Sequence, residues 1–240
     1  LIHVGSSRVF SMSEGLTNRK IFSFWSPLLG TWLLMSVDGP LLTALIARMV
    51  DAELNLAAYG LAFSFALVAE APIIMLMSAS TSLATSPLAY RRLRRFTAVL
   101  TLLVTIVPAM ILIPWPYQQL MEGVFGLAAP VADRAHIALL ALLPWPAAIG
   151  WRRFYQGVLI RNEQTGRVAL ATVFRLIGMA GCGFLLYYHA DFQGALLGAL
   201  ALSCGVIVEF FASRILANGA ISRLLKSPEQ AQVFNYTELY

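Results

Sequence analysis

The sequence predicts an all-α integral membrane protein, built as a bundle of six transmembrane helices. Of its 240 residues, 59% are hydrophobic and 12% are charged, and the mean hydropathy is +0.74. A soluble domain would carry about 25% charged residues. Six segments also reach the length of ~20 apolar helical residues that crosses the ~30 Å hydrocarbon core of a bilayer. Length and helix count therefore favour a single transmembrane domain without a soluble module.

The six predicted spans follow one another closely along the chain. They cover residues 22–50, 54–83, 96–115, 135–160, 168–188 and 192–217. The longest connection, 116–134, is expected to lie on the membrane surface as a short amphipathic turn. Residues 21–217 then form one transmembrane lobe, between an N-terminal tail (1–20) and a C-terminal linker (218–240). The tail lacks the compact apolar core and the small-residue cleavage site of a signal peptide.

The distribution of Lys and Arg predicts the orientation of the bundle, because basic residues favour the cytoplasmic side of short loops. With the N-terminus inside, most of the 17 basic residues fall at cytoplasmic helix ends: Arg8, Arg19, Lys20, Arg91, Arg92, Arg94, Arg95, Arg152, Arg153, Arg161, Arg167, Arg214, Arg223 and Lys226. The opposite ends are rich in Asp and Glu. Both termini are therefore expected in the cytoplasm. Topology also explains the net charge of +5 without a nucleic-acid partner, since no aromatic residues interleave with the basic ones.

The first span, FSFWSPLLGTWLLMSVDGPLLTALIARMV, carries a carboxylate, Asp38, near its middle. A charge in hydrocarbon costs on the order of 2.5–3.5 kcal/mol, so such a residue usually marks a pathway or a buried pair. A rise of ~1.5 Å per residue places Asp38 roughly 24 Å from the inner edge, where the nearest basic residue expected is Arg48, about 15 Å further out along the same helix. An unpaired carboxylate keeps its proton or binds a cation, which makes Asp38 a candidate coupling site for H⁺ or Na⁺. The alternative is a carboxyl held structurally by hydroxyls such as Ser36 or Thr43.

Gly39 and Pro40, directly after this carboxylate, are predicted to form a helix hinge. Proline removes a backbone donor and favours a kink. Carbonyl groups one turn earlier are then available to an ion, as occurs in the interrupted helices of transporters.

Three further charges lie inside predicted spans, nearer the cytoplasmic side. Helical rise places Arg175 about 12 Å above the inner edge, and Glu70 and Glu209 some 5–10 Å above it. Glu70, Arg175 and Glu209 are therefore expected to share one layer. Pairing would offset most of the cost of burial, which favours a structural ion network, and the alternative is an inner gate or a set of substrate contacts.

Cysteine and motif content argue against a metal site and against an enzyme. Cys182 and Cys204 lie in apolar segments without a CxxC motif or nearby His residues, and are interpreted as small packing residues. No HExxH, GxSxG or paired-Asp motif falls within a span. The expected cofactor is none, apart from the coupling ion, and the expected partners are membrane lipids and a small-molecule substrate.

Three stretches of this sequence carry a family resemblance. They are FWSPLLGTWLLMSVDGPLLTALIARM, AAYGLAFSFALVAEAPIIMLMSAST with the basic segment YRRLRRFT after it, and FYQGVLIRNEQTGRV. In this order they resemble the N-terminal six-helix lobe of the multidrug and toxic-compound extrusion (MATE) transporters and their polysaccharide-flippase relatives. A similar layout is found in the progressive ankylosis transporters of the same superfamily, which are associated with export of organic anions.

The resemblance implies a secondary-active antiporter that exports small organic molecules by alternating access. Asp38 matches the first-helix carboxylate that MATE proteins use for cation coupling. The fifth helix departs from the family, because Arg175 is the only charge in VALATVFRLIGMAGCGFLLYY. This departure fits an anionic or zwitterionic substrate better, as in a flippase or organic-anion exporter whose Arg175 faces the substrate. A membrane scaffold subunit that transports nothing is the alternative from another class.

The resemblance also implies a second half. Family members have about twelve spans in two similar lobes around a cleft, a repeat arrangement common among transporters. This chain is therefore expected to be a fragment, with a second six-helix lobe beyond Tyr240. If it is complete, a second copy would have to supply the other wall of the cleft. The expected location is the bacterial inner (plasma) membrane.

Overall fold

The computed structural model describes residues 17–189 and 192–226, and the regular elements of these ranges are all helical. Residues 1–16 of the predicted tail and 227–240 of the predicted linker lie outside the described residues. The described α-helices are α1 (Asn18–Met35), α2 (Asp38–Ile46), α3 (Ala52–Glu70), α4 (Leu76–Leu83), α5 (Pro87–Ile111), α6 (Pro114–Gln118), α7 (Ala129–Leu142), α8 (Trp145–Arg161), α9 (Thr165–His189), α10 (Gly194–Leu216) and α11 (Asn218–Lys226). A 3₁₀ turn covers Ala71–Ile73, and a π-helical turn covers Gln119–Val124.

Five helical segments within the described ranges are long and apolar enough to cross a membrane. They are Ile21–Ile46, Ala52–Leu83, Pro87–Ile111, Thr165–Tyr188 and Gly194–Leu216. Four of them match predicted spans to within a few residues. The third begins well before the predicted residue 96, because Ser86 and Pro87 start the helix there. The Ser86 hydroxyl accepts a hydrogen bond from the Ala89 amide at 3.2 Å, and Pro87 takes the first helical position.

The predicted fourth span, 135–160, is divided into two helices. α7 has 14 residues and α8 has 17, and Leu143 and Pro144 separate them. Pro144 and Pro146 cannot donate backbone hydrogen bonds, so a continuous helix is interrupted here. α8 also contains three arginines, which lowers its hydropathy. The described residues therefore provide five candidate spans and not the predicted six.

The first two spans are interrupted as well, each next to a proline. α1 ends at Met35 and α2 begins at Asp38, because Pro40 has no amide to donate to the Ser36 carbonyl. α3 ends at Glu70, and the 3₁₀ turn after it contains Pro72. The two interruptions place Asp38 at the start of one helix and Glu70 at the end of another.

α10 lies at the centre of the bundle, where it packs against α2, α3, α7, α8 and α9. Its small residues allow this close packing. A Cβ atom at Gly205 would lie 2.7 Å from the Met179 Cβ and 3.0 Å from the Arg175 carbonyl oxygen. On another face, the Ser203 hydroxyl donates to the Ala141 carbonyl at 2.8 Å and ties α10 to α7. Only glycine at position 205 lets α10 approach α9 this closely.

One end of the bundle gathers the ends of α4 and α8 and the adjoining ends of α9 and α10. Arg161 Nη1 donates to the Thr81 carbonyl at 2.9 Å, which joins the last turn of α8 to α4. Arg167 Nη1 donates to the Leu216 carbonyl at 3.0 Å, which joins the first turn of α9 to the last of α10. These are ends that the predicted hairpin topology places on one side.

The opposite end of the bundle gathers the starts of α3, α7 and α10. Arg134 Nη2 lies 2.7 Å from Asp51 Oδ2, which links α7 to the turn before α3. The Asn55 side-chain oxygen accepts the Ala195 amide at 3.2 Å and so caps the start of α10 from α3. The α7–α8 pair therefore runs from the Asp51 end of the bundle to the Thr81 end.

Large apolar side chains cover the outside of the candidate spans. Trp32 is 67% exposed, Val68 73%, Ile177 61% and Ile215 66%. Exposed apolar surface on this scale is unfavourable in water and favourable in hydrocarbon. The outer surface thus agrees with the hydropathy in favouring a membrane protein.

Candidate functional site

Glu209 on α10 is the most deeply buried charge of the bundle interior, with 0% exposure. Arg152 Nη1 lies 2.5 Å from its Oε2, and Arg175 Nη1 lies 3.6 Å from the same oxygen. Gln156 Nε2 donates to Oε1 at 3.1 Å, and the Thr172 hydroxyl donates to Oε1 at 2.9 Å. Donors from α8 and α9 thus surround both carboxylate oxygens, which is the condition under which a charge can stay buried.

Asp38 forms an ion pair with Arg175, through Oδ2 and Nη2. Both residues are buried, with exposures of 7% and 6%. Asp38 is also the first residue of α2, where the partial positive charge of a helix N-terminus favours a carboxylate. The prediction that Asp38 lacks a counter-ion is therefore wrong. A depth counted along one helix takes no account of helix offset or of the reach of a long arginine side chain.

Asp38, Glu209, Arg152 and Arg175 form a four-residue cluster, which is called the charge network below. Arg175 contacts both carboxylates, and Arg152 contacts the same Glu209 oxygen as Arg175. With all four ionised, the network has no net charge. Each buried ion would cost several kcal/mol without its partners. The network therefore joins α2, α8, α9 and α10, and loss of any one charge leaves another uncompensated.

Glu70 lies outside the charge network and has its own partner. Arg153 Nη2 lies 2.7 Å from Glu70 Oε1, so the pair joins the end of α3 to α8. This differs from the predicted ion network, in which Glu70 pairs together with Arg175 and Glu209. Arg152 and Arg153 point to different partners because successive helical residues are about 100° apart around the axis. Two adjacent arginines on α8 thus neutralise two glutamates on different helices.

Sequence reasoning missed the contribution of α8 to this site. From the sequence, Arg152 and Arg153 lie near the cytoplasmic end of a predicted span and indicate only the orientation of the bundle. One signal was available, since Arg152 and Gln156 are four residues apart and so share a helix face. Thr172 and Arg175 share a face of α9 in the same way, three residues apart. Polar pairs at such spacing inside apolar helices indicate a buried polar site.

The predicted hinge residues lie on the outer face of the first span. Gly39 and Pro40 are exposed, and a Cβ atom added at Gly39 would meet nothing within 4 Å. The interruption itself falls one turn earlier, at Ser36 and Val37, where the Val37 amide turns back to the Leu34 carbonyl at 3.2 Å. The Ser36 hydroxyl donates to the Leu33 carbonyl at 2.7 Å and so does not hold Asp38.

Comparison of the chain with protein-family models, curated proteins and solved structures gave no match. The resemblance to the MATE superfamily accordingly rests on the three sequence stretches described above. The charge network and the interrupted helices are the features from which a function can be argued.

Proposed function

We propose that this chain is one six-helix lobe of a MATE-like antiporter, which couples movement of H⁺ or Na⁺ to export of a small organic molecule. The observation that carries the proposal is the position of Asp38. Its carboxylate is buried at the first turn of α2, directly after a helix interruption, and is held by Arg175 of α9. An intramembrane carboxylate beside an interrupted helix is typical of coupling sites in transporters.

Coupling follows from competition between the ion and Arg175 for one carboxylate. A proton or Na⁺ bound at Asp38 reduces the negative charge that attracts Arg175. Arg175 still has Glu209, whose Oε2 is 3.6 Å from its Nη1, so it does not become an isolated cation. α2 is then free to separate from α9 about the interruption at Ser36 and Val37. An ion shifts the equilibrium between the paired and the separated arrangements of α2 and α9 only if it binds one of them more tightly. The Asp38–Arg175 ion pair supplies this difference in affinity, because it competes with the ion in the paired arrangement.

The proposal includes a sixth membrane crossing formed by α7 and α8 together. Their path from the Asp51 end of the bundle to the Thr81 end supports it, as does the frequency of interrupted spans in transporters. The exposed basic residues of 91–95 at the start of α5 support cytoplasmic termini in a bacterial inner (plasma) membrane. Alternating access also needs a second wall for the cleft, which a second lobe of the same protein or a second copy would supply.

Asp38→Asn in the full-length protein, reconstituted in liposomes, tests the proposal. A cationic dye and an anionic fluorescein derivative serve as transport probes under an imposed H⁺ or Na⁺ gradient. Coupled transport should be lost while the protein still inserts. The exposed Glu53 provides the matched control, since Glu53→Gln removes a carboxylate outside the network. Unchanged coupled transport by the Asp38→Asn protein would rule out ion coupling at this residue.

A flippase or organic-anion exporter is the second candidate, supported by two unused donors. Nε of Arg175 and Nε of Arg152 are buried and have no hydrogen-bond partner among the described residues. An anionic substrate group that displaces Asp38 could accept hydrogen bonds from these donors. Export of the anionic probe but not of the cationic dye would favour this candidate over a cation exporter.

A scaffold subunit without transport activity is the candidate from another class. The observation that favours it is that both carboxylate oxygens of Glu209 have donors, as expected in a static network. This candidate predicts that Arg175→Ala lowers stability in a way that a bound partner protein relieves. It also predicts no dependence of any property on H⁺ or Na⁺ gradients, which separates it from both transporters.

A further inference from the structure

The two cysteines of the chain lie opposite each other on neighbouring helices. Cys182 of α9 and Cys204 of α10 are partly buried, and neither is in a disulfide. Each thiol lies in the immediate surroundings of the other. Sequence spacing could not reveal this contact, because the residues come from different spans.

The packing register of α9 against α10 places these residues together independently of the thiol contact. A short connection joins the two helices, so they run antiparallel. On one side of the cysteines, a Cβ atom at Gly183 would lie 3.5 Å from the Ala201 Cβ. On the other side, Gly205 packs against Met179. Cys182 directly precedes Gly183 and Cys204 directly precedes Gly205, so the two cysteines fall between these contacts.

The spacing of the two helices here matches the geometry of a disulfide. A disulfide joins Cβ atoms that are about 3.5–4.5 Å apart. The distance of 3.5 Å between the Ala201 Cβ and a Cβ atom built at Gly183 shows that α9 and α10 approach this closely one residue from Cys182 and three residues from Cys204. The two helices are therefore close enough here for a bond between Cys182 and Cys204.

We propose that Cys182 and Cys204 are a reversible disulfide pair that joins α9 to α10, with a membrane-soluble quinone as the oxidant. Two S–H bonds break and one S–S bond forms. The two electrons and two protons pass to the quinone, which becomes a hydroquinone. A quinone fits the location, because both thiols lie within helices of membrane-spanning length, where polar oxidants do not enter. A dithiol reductant reverses the step by thiol–disulfide exchange.

The bond would fix the part of the bundle that carries the charge network. Cys182 lies about two helical turns from Arg175 on α9, and Cys204 lies less than two turns from Glu209 on α10. Oxidation therefore holds Arg175 and Glu209 at their present separation. Any motion that separates α9 from α10 is prevented in the oxidised protein, whatever the activity of the chain.

Proteolysis under non-reducing conditions tests the pair directly. A protease site is inserted in the connection at 190–193 of the full-length protein, which is reconstituted in phospholipid vesicles that contain a short-chain ubiquinone. After cleavage, the oxidised protein should migrate as one band, and dithiothreitol should divide it into two. Cys182→Ser and Cys204→Ser should each abolish the single band. Separation of the wild-type fragments despite the quinone would overturn the proposal.

A displaced thiol provides the matched control. Ser203 is next to Cys204 but faces α7, where its hydroxyl donates to Ala141. The double variant S203C/C204S therefore moves the thiol away from Cys182 and should give two bands with or without reductant. Cross-linking of this variant at the wild-type rate would overturn the proposal, because it would show that the bond forms without the observed register. The wild-type result is decisive by itself, so a variant that fails to fold does not remove the test.

Discussion

Arg175 on α9 forms an ion pair with Asp38, the first residue of α2. The pair closes the bundle at the interruption of the first span, and Arg175 also reaches Glu209 on α10. One guanidinium thus contacts the carboxylates of two helices. Arg175 therefore links the charge of Asp38 to Glu209 of α10.

Glu209→Gln should be among the most destabilising single substitutions in the chain. The amide keeps the shape of the side chain, but Arg152 and Arg175 then share only the charge of Asp38 inside the bundle. Loss of one member of a buried ion pair costs about 3–5 kcal/mol. The free energy of unfolding in detergent measures the effect, with the exposed Glu53→Gln expected within about 0.5 kcal/mol of wild type. Equal stability of the two variants would contradict the charge network.

Glu70 and Arg153 should behave as a pair that is separate from the charge network. E70Q and R153Q should each lower the free energy of unfolding, and the double variant E70Q/R153Q should lose less than their sum, because both ends of one ion pair are removed. E70Q/R152Q is the matched control, since Arg152 is the adjacent arginine and contacts Glu209 instead. The effects of E70Q and R152Q on the free energy of unfolding should be additive. Coupling of Glu70 to Arg152 and not to Arg153 would contradict the structure.

Tyr117, in the segment between α5 and α7, should ionise at unusually high pH. Burial, with the nearby carboxylates of Asp133 and Glu122, raises its pKa from the ordinary 10.0 to about 12. The neutral phenol also donates to the Ala132 carbonyl at 2.7 Å. Because the pKa of the folded state exceeds that of the unfolded state, this contribution to stability is complete below pH 10 and is lost as pH rises toward about 12.

The difference in phenolate absorbance between the wild-type and Tyr117→Phe proteins measures this titration. The same two proteins, unfolded at a series of pH values, report the loss of stability. Titration of Tyr117 at the ordinary pKa of tyrosine, with no pH-dependent difference in stability, would show that Tyr117 is not buried beside these carboxylates in solution.

Hydropathy predicted most of the helices because the membrane imposes one requirement on every span, a length of about 20 apolar residues. That requirement located the spans at 54–83, 168–188 and 192–217 with small errors. It failed at 135–160, where Pro144 interrupts the helix and two arginines reduce the hydropathy of the segment. Length and composition describe a segment by itself. They contain no information on the other helices that stabilise the α7–α8 pair.

The partners of the buried charges could not be predicted from depth along the chain. Which side chains meet depends on helix offset and on rotation about each helix axis, and these are set by packing. Gly205, which lets α10 approach α9, is one determinant of that packing. Adjacent residues Arg152 and Arg153 have different partners for this reason. The contact between Cys182 and Cys204 could not be predicted for the same reason, since it also depends on helix offset and rotation.

The central claim is that Asp38 binds the coupling ion and does more than neutralise Arg175. The charge-neutral double variant D38N/R175Q separates these roles, because it removes both members of the pair and leaves Arg152 and Glu209 balanced. Ion-driven transport by this variant in liposomes is the measurement. We expect a folded protein, more stable than the Asp38→Asn single variant, without H⁺- or Na⁺-coupled transport. Coupled transport at the wild-type rate would contradict the account, since Asp38 would then serve only as a counter-ion.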